Sequence, residues 1–402
     1  MGLVHESRRR AELVNRFRTH VPPEPPSGGA PRPPRRLEVF GVGATWLQVT
    51  WSALGPGEVR VRAADAEVAV HADGGPGAVV LDGLPADTAH DVELRGEGLL
   101  GGPVRLRART LRPPPGALLH RIATISDTHI GSTSTGYLHT IVEKPQPDEA
   151  HPVRCARAAV REARTWGAHE LVVKGDLVDH SDAGWWAVAA DVLSEAGVPV
   201  SVLPGNHEWS ARGDGDPAAG LAAHGHTLAT PVAHHDRPGI RLILADTSRP
   251  GHDAGRARGI ADEVIRRAAD AGGPVLVALH HQLMRFPFPT YLPYGVAGPD
   301  AEHFLDGLAA ANPHALVTSG HTHRHRRRHH GPVTITEVGS TKDFPGTWAG
   351  YEVHEGGIVQ TVRRIAEPSC IRWTDHTRRA ALWVWQHWAP GRLDDRCFTR
   401  SW

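Results

Sequence analysis

The chain holds only 3 cysteines and 2 methionines in 402 residues. So few thiols exclude a disulfide framework and a thiolate metal cluster. Cys155 falls in a predicted helix as an inert core thiol, while Cys370 and Cys397 could pair, though no secretory signal precedes them. Charge of one sign is also missing. Lysine plus arginine equals aspartate plus glutamate at 44 each, so no global field draws the chain to nucleic acid or to an anionic membrane. That disfavours a nuclease and leaves membranes out of the expected partners. No apolar run is long enough for a bilayer span, and the opening Met1 to His20, with Arg8, Arg9 and Arg10, lacks a signal-peptide core. The expected location is the reducing cytoplasm. What is abundant is histidine, at 28 residues, which points to imidazole and carboxylate metal chemistry.

Five short runs rich in Val, Ile, Leu and Ala cover Arg121 to Ser126, Glu170 to Gly175, Val198 to Gly205, Pro274 to Leu279 and His314 to Gly320. Each stops abruptly at polar residues, the signature of strands buried on both faces. Helical periodicity fills the gaps over Val153 to Trp166, Trp185 to Ala196, Ala261 to Ala271 and Ala301 to Ala310. In layered α/β folds the chemistry gathers at the carboxyl ends of strands. Here those ends carry Asp127 with His129, Asp176, Asn206, His280, and His321 with His323. A single Asp or His at a strand end is usually a turn former or a cap. Seven in an ordered set point instead to a two-metal hydrolytic site. Asp246, after Ile240 to Ala245, falls outside the set and reads as structural; Asp179 and His180 read as loop residues.

Asp127-Thr128-His129, Gly175-Asp176, Gly205-Asn206-His207-Glu208, His280 and Gly320-His321-Thr322-His323 together resemble the calcineurin-like metallophosphoesterases over about residues 119 to 365. The resemblance implies a layered β-sandwich flanked by helices, and two divalent or trivalent ions drawn from Mn, Fe or Zn. One ion would take Asp127, His129, Asp176 and His323; the other Asp176, Asn206, His280 and His321. Asp176 would be the bridge, and a shared hydroxide the nucleophile. His281 competes with His280 for its place, and His280 fits the family pattern better. His207 resembles the family's leaving-group histidine, which makes His207 and Asp176 the candidate catalytic pair. Purple acid phosphatases share the fold but carry a tyrosine where this chain has Asp179, and lack the first-block histidine. With His129 present, the resemblance runs to the phosphodiesterase-type branch. Implied is hydrolysis of a small phosphate ester, with diesters and cyclic nucleotides ahead of phosphomonoesters. A nuclease and a metal-binding scaffold without turnover are the rivals.

Arg324 and His325, beginning the run to His330, are candidate substrate contacts, although the run as a whole reads as a solvated hairpin. Phe286, Phe288, Tyr291 and Tyr294 are candidates for a rim over the site, with Tyr291 taken as a substrate contact; Trp348 and Tyr351 could join them.

Residues 1–34 form an arm ending in a Pro/Gly-rich linker, and 35–112 show seven short alternating stretches separated by turn residues, which predict a small all-β antiparallel sandwich. Trp51 and Leu84-Pro85-Ala86-Asp87-Thr88 resemble a fibronectin type III domain, with His90 standing where that family usually has tyrosine. A proline linker at 113–118 leads into the catalytic region, 119–366. Residues 367–402 hold five of the twelve tryptophans interleaved with arginines. This tail is expected to dock onto the catalytic domain or onto a subunit partner in a homo-oligomer.

Overall fold

The computed structural model describes residues 19–20, 36–136, 139–144, 146–210, 213, 215–284 and 292–402. The candidate contacts Phe286, Phe288 and Tyr291 lie outside this set.

The first unit is built from β1 (Glu38–Val42), β2 (Trp46–Trp51), β3 (Gly57–Ala63), β4 (Ala66–Ala72), β5 (Gly77–Asp82), β6 (Ala89–Gly96) and β7 (Val104–Arg109). They form two antiparallel sheets, ordered β1-β2-β5 and β4-β3-β6-β7. Strand β3 shows why: Val59, Val61 and Ala63 are buried while Arg60 and Arg62 between them are exposed, the period of two that a half-buried strand requires. Leu47, Val49, Trp51, Val92 and Leu94 fill the space between the sheets.

The second unit contains two six-stranded mixed sheets. One runs β10-β9-β8-β17-β18-β19, from β8 (Leu118–Ile125), β9 (Glu170–Lys174), β10 (Val200–Leu203), β17 (Thr347–His354), β18 (Gly357–Arg364) and β19 (Phe398–Ser401). The other runs β11-β12-β13-β14-β16-β15, from β11 (Val232–Arg237), β12 (Ile240–Ala245), β13 (Val275–Leu279), β14 (Leu316–Ser319), β15 (Arg326–His330) and β16 (Val333–Glu337). Ile122, Val172, Leu203, Leu242, Leu276, Leu316 and Tyr351 pack between the two sheets. Helices α1 (His151–Thr165) and α2 (Ala183–Ser194) cover one outer face, and α4 (Ala261–Ala269) and α5 (Gly298–Ala311) the other; the short α3 (Pro217–Ala222) packs on α2. Ala156, Ala159, Val160 and Ala163 form the buried face of α1 as their spacing predicts. The result is a mixed α/β fold with four layers.

Parallel pairing sets the site. Val172 stands opposite Thr124 and Val173 opposite Ile125, so β8 and β9 end level and deliver Asp127 and Asp176 side by side. Strands β13 and β14 are parallel neighbours in the facing sheet and deliver His280 and His321.

The chain after 366 is part of this unit. Helix α6 (Pro368–Thr377) packs on α1, and β19 adds the outermost strand to the first sheet, with the short helices α7 (Trp385–Trp388) and α8 (Leu393–Arg396) between them. All three cysteines are free and buried, so Cys370 and Cys397 do not pair: the Cys397 thiol accepts from the Val42 amide at 3.4 Å. Among the described residues no helix is long and apolar enough to cross a membrane.

Candidate metal centre

The loops after β8 and β9 continue the pairing of their strands. The Asp127 amide donates to the Gly175 carbonyl at 3.1 Å and the His129 amide to the Asp176 carbonyl at 2.9 Å. Five of the seven predicted ligands, Asp127, His129, Asp176, His321 and His323, have positive φ between 46° and 63°. Non-glycine residues adopt that region rarely, at a cost of about 1 kcal/mol or more each, so the surrounding structure must enforce it. Glycines make room. A Cβ on Gly175 would lie 2.5 Å from His280 Nδ1, and one on Gly320 would overlap the Ser126 hydroxyl.

The seven side chains converge. His280 Nε2 lies 3.3 Å from Asp176 Oδ2 and 3.1 Å from Asn206 Oδ1. His129 Nε2 lies 3.6 Å from the same Asp176 oxygen. His323 Nε2 is 3.3 Å from Asp127 Oδ1 and 3.2 Å from His129 Nε2, and His321 Nδ1 is 3.2 Å from His280 Nε2. Asp127, His129 and His323 form one donor group and Asp127, Asp176 and His280 another. His281 stays within ligating reach of His280 and His321, but its Nδ1 meets the Thr247 hydroxyl at 2.9 Å. His280 is the one that faces Asp176 and Asn206.

The proton positions that neutral rings would take suit a cation. His280 Nδ1–H donates to the Lys174 carbonyl at 2.7 Å, His323 Nδ1–H to Asp343 Oδ2 at 2.8 Å, and His321 Nε2–H to the Tyr294 carbonyl at 3.1 Å. In each ring the other nitrogen is left as a lone pair, turned toward Asp176 in His280, toward Asp127 in His323 and toward His280 Nε2 in His321, the arrangement that orients metal-binding imidazoles. Electrostatics agree. Burial, with Lys342 nearby, presses His129 down to about 4, and burial with His280 presses His321 to about 3, so both are neutral near pH 7. At His280 and His323 burial acts the same way but loses to the carboxylates: Asp176 lifts His280 to about 9, and Asp343 with Asp127 lifts His323 to about 10. That lift expresses a demand for positive charge beside Asp127 and Asp176, and ions held by these donors would meet it. The residues present fit a metal centre.

Several contributors were not read from the sequence. Asp343 orients His323. Asp179, read as a loop residue, is buried with its carboxylate 3.0 Å from His207 Nδ1 and 3.5 Å from His129 Nδ1. Glu208 accepts from the amides of Gly205 (2.6 Å), Asp176 (3.0 Å) and Val178 (3.1 Å), stapling two ligand loops together. Burial first, and the nearby Asp176 charge, raise its carboxyl to about 7.

Other expectations are corrected. Arg324 is buried, donates to Glu337 Oε2 at 2.7 Å and stacks over the Trp388 ring, so it is not free to meet a substrate. His325 is also buried; its Nδ1 accepts from the Gly339 amide at 3.2 Å and its Nε2 meets Thr347 Oγ1 at 3.2 Å. Both are packing residues that follow the ligand loop. Trp348 and Tyr351 are buried in the core, donating to Glu162 at 2.9 Å and to Thr318 at 2.8 Å. Tyr294 does lie exposed beside His321. Asp246 accepts from Thr230 and the Ser248 amide, the structural role expected of it.

The chain is similar to known proteins. A family model described as Calcineurin-like phosphoesterase matches residues 120–325. The chain is 28% identical over 180 residues to a Psychrobacter arcticus protein named probable cyclic nucleotide phosphodiesterase, covering 42% of this chain and 62% of that protein, less than two thirds of its length. A Synechococcus protein of the same descriptive name is 24% identical over 266 residues, covering 64% of this chain and 94% of the relative. A solved structure of PhoD superposes with a TM-score of 0.44 at 10% identity, covering 84% of this chain and 89% of that one.

Proposed function

From the premise that this chain belongs to the calcineurin-like phosphoesterase family, we infer that it hydrolyses phosphate esters, phosphodiesters or cyclic nucleotides foremost, at a dinuclear metal centre. The observation that carries the reading is the position of Asp176 Oδ2, which lies 3.3 Å from His280 within its own donor group and 3.6 Å from His129 of the other. A shared carboxylate is what two closely spaced cations require. One ion would be held by Asp127, His129, Asp176 and His323, the other by Asp176, Asn206, His280 and His321. Bound there, the ions supply Lewis acidity toward the phosphoryl oxygens and lower the pKa of water.

The remaining work falls to side chains. His207 is the general acid for the leaving oxygen. Its Nδ1 is tied to Asp179, its Nε2 stands 4.0 Å from Asp176 Oδ2, and its side chain is partly exposed where substrate would enter. Burial disfavours its charged form, but Asp176 and Asp179 outweigh burial and raise its pKa, which keeps a proton available at Nε2. The lean toward diesters is supported by the names of the two bacterial relatives. The three-plus-four division of the leading strands supports a fibronectin type III-like unit over 35–112 in a scaffolding role.

The test is turnover of bis-p-nitrophenyl phosphate, p-nitrophenyl phosphate and cyclic nucleotides against Mn²⁺, Fe²⁺ and Zn²⁺, with elemental analysis of the purified protein. Diester turnover with two bound ions per chain is expected. Monoester turnover alone would overturn the substrate reading, and a chain that holds metal without turnover would overturn the enzyme.

A further inference from the structure

His281, beside His280 at the end of β13, is fully buried and has no part in either ligand set or in the proton transfer. Its ring is held along one edge. Nδ1 meets Thr247 Oγ1 at 2.9 Å, and the same oxygen accepts from the His281 amide at 3.2 Å. The Asp253 carbonyl is a further acceptor for this ring, and since Nε2 has no hydrogen-bond partner, that carbonyl faces Nδ1. A carbonyl can only accept, so the proton of the neutral ring sits on Nδ1. The loop that supplies these contacts is tied down: the Arg256 amide donates to the Thr247 carbonyl at 2.8 Å, and a Cβ on Gly255 would lie 2.5 Å from His281 Cβ. Burial first, then the His321 and His280 rings, hold the imidazole well below its ordinary pKa, so it is neutral at pH 7.

The other edge lacks any such support. Nε2 is buried without a partner among the described residues, whereas most buried polar atoms have one. An apolar ring would pack in the same layer without stranding a nitrogen. The neighbours indicate what the lone pair serves. The His281 ring lies 4.7 Å from that of His280 and 4.6 Å from that of His321, between centroids. Each of the three offers one nitrogen, and all three nitrogens lie within 4.8 Å of one another. We propose that His281 Nε2 is a further ligand of the ion assigned to Asp176, Asn206, His280 and His321. That position would then present three imidazoles, one amide oxygen and the shared carboxylate. The other position presents two carboxylates and two imidazoles. Imidazole suits zinc, iron and nickel, while carboxylate suits manganese, so the two positions differ in the metal they favour.

This inference rests on the dinuclear reading, so the full chain purified with Zn²⁺ is first analysed for metal content and then challenged with increasing EDTA. Two variants are compared with it. His281→Phe keeps a ring in the layer, and Thr247→Val removes only the hydroxyl beside Nδ1. Loss of an outer partner costs about 10- to 100-fold in metal affinity, and Thr247→Val should fall in that range. His281→Phe should release one of the two ions with a larger loss than that. The Co²⁺-loaded protein supplies a readout independent of turnover: one ligand fewer lowers the coordination number of one ion and should strengthen its visible d–d absorption. Far-UV circular dichroism reports folding, and if the phenylalanine chain does not fold, His281→Ala is read in the same way. Two ions kept with unchanged EDTA resistance and an unchanged Co²⁺ spectrum would overturn the ligand and leave the dinuclear centre standing. Wild type holding fewer than two ions would overturn both.

Discussion

Asp179 serves two imidazoles at once, with its carboxylate beside Nδ1 of His207 and of His129. His207 is outside the two proposed ligand sets, although it lies within ligating reach of His129 and Asp179, so its proposed role can be separated from ion binding by measuring both. Replacing His207 by alanine should lower kcat by about 10²- to 10⁴-fold. Metal content should stay unchanged, and loss of an ion by elemental analysis would refute the role. Asp343 acts the other way. It holds the ring of His323 through a 2.8 Å hydrogen bond, so Asp343→Asn should weaken metal affinity by about 10- to 100-fold, read by titration with Mn²⁺. Unaltered affinity would make Asp343 a packing residue. The seven ligand types stood out in the sequence because each ends an apolar run. Asp343 and Asp179 did not, and Glu208 appeared only as the end of the Gly205-to-Glu208 block with no role attached, because their roles exist only once distant loops meet. Arg324 and His325 misled for a related reason. Proximity in sequence to His323 does not fix direction, and the chain turns both side chains inward to Glu337, Gly339 and Thr347.

At the level of elements, strands β8, β9, β13 and β14 were readable because two-sided burial leaves continuous apolar runs. Helices α1, α2, α4 and α5 were readable from their periodicity, with ends differing by a few residues. Strand β19, Phe398–Ser401, was not: four residues at a sheet edge carry too little pattern, and only the register with β18 reveals it. Helix α6 is fixed to α1 by an aromatic stack. His151 lies on Trp373, centroids 4.4 Å apart at 12°, and His376 on its own helix stacks on the same ring at 6.1 Å. Burial, then Arg154, presses His151 down to about 4; burial, then Arg379, does the same to His376. Unfolded histidines take up protons as pH falls through about 6.5. The unfolded chain therefore binds more protons than the folded one between about 6.5 and 4, and stability declines as pH falls across that window. His376→Phe removes one of these groups while keeping an aromatic ring. Its Tm should fall less than that of the wild type between pH 6.5 and 4, and parallel Tm profiles would remove His376 from the account.

The boundary at residue 112 is plain in the composition, yet the two units share cores across it. Phe40 of β1 packs in the layer between the catalytic sheets, and Cys397 packs in the core of the leading sandwich. Polar contacts close the same seam. The Gln48 amide donates to the Arg364 carbonyl at 2.8 Å and accepts from the Arg364 amide at 2.9 Å. Ser52 donates to Asp375 at 2.7 Å, and Arg396 Nε to the Phe40 carbonyl at 2.9 Å. All four residues carrying these side chains are buried. Removing the sandwich would strand their partners, each at a cost of about 1 to 3 kcal/mol, and would expose the apolar faces of both cores. Against a typical total of about 5 to 15 kcal/mol, that is enough to abolish an independent catalytic fold. The intact chain should therefore melt in a single calorimetric transition whose van't Hoff and calorimetric enthalpies agree. A fragment beginning at residue 113 should be insoluble or molten. Two resolved transitions, or a soluble fragment with wild-type turnover of a diester, would show that the sandwich is an appendage and that the shared contacts are too weak to couple it to the site.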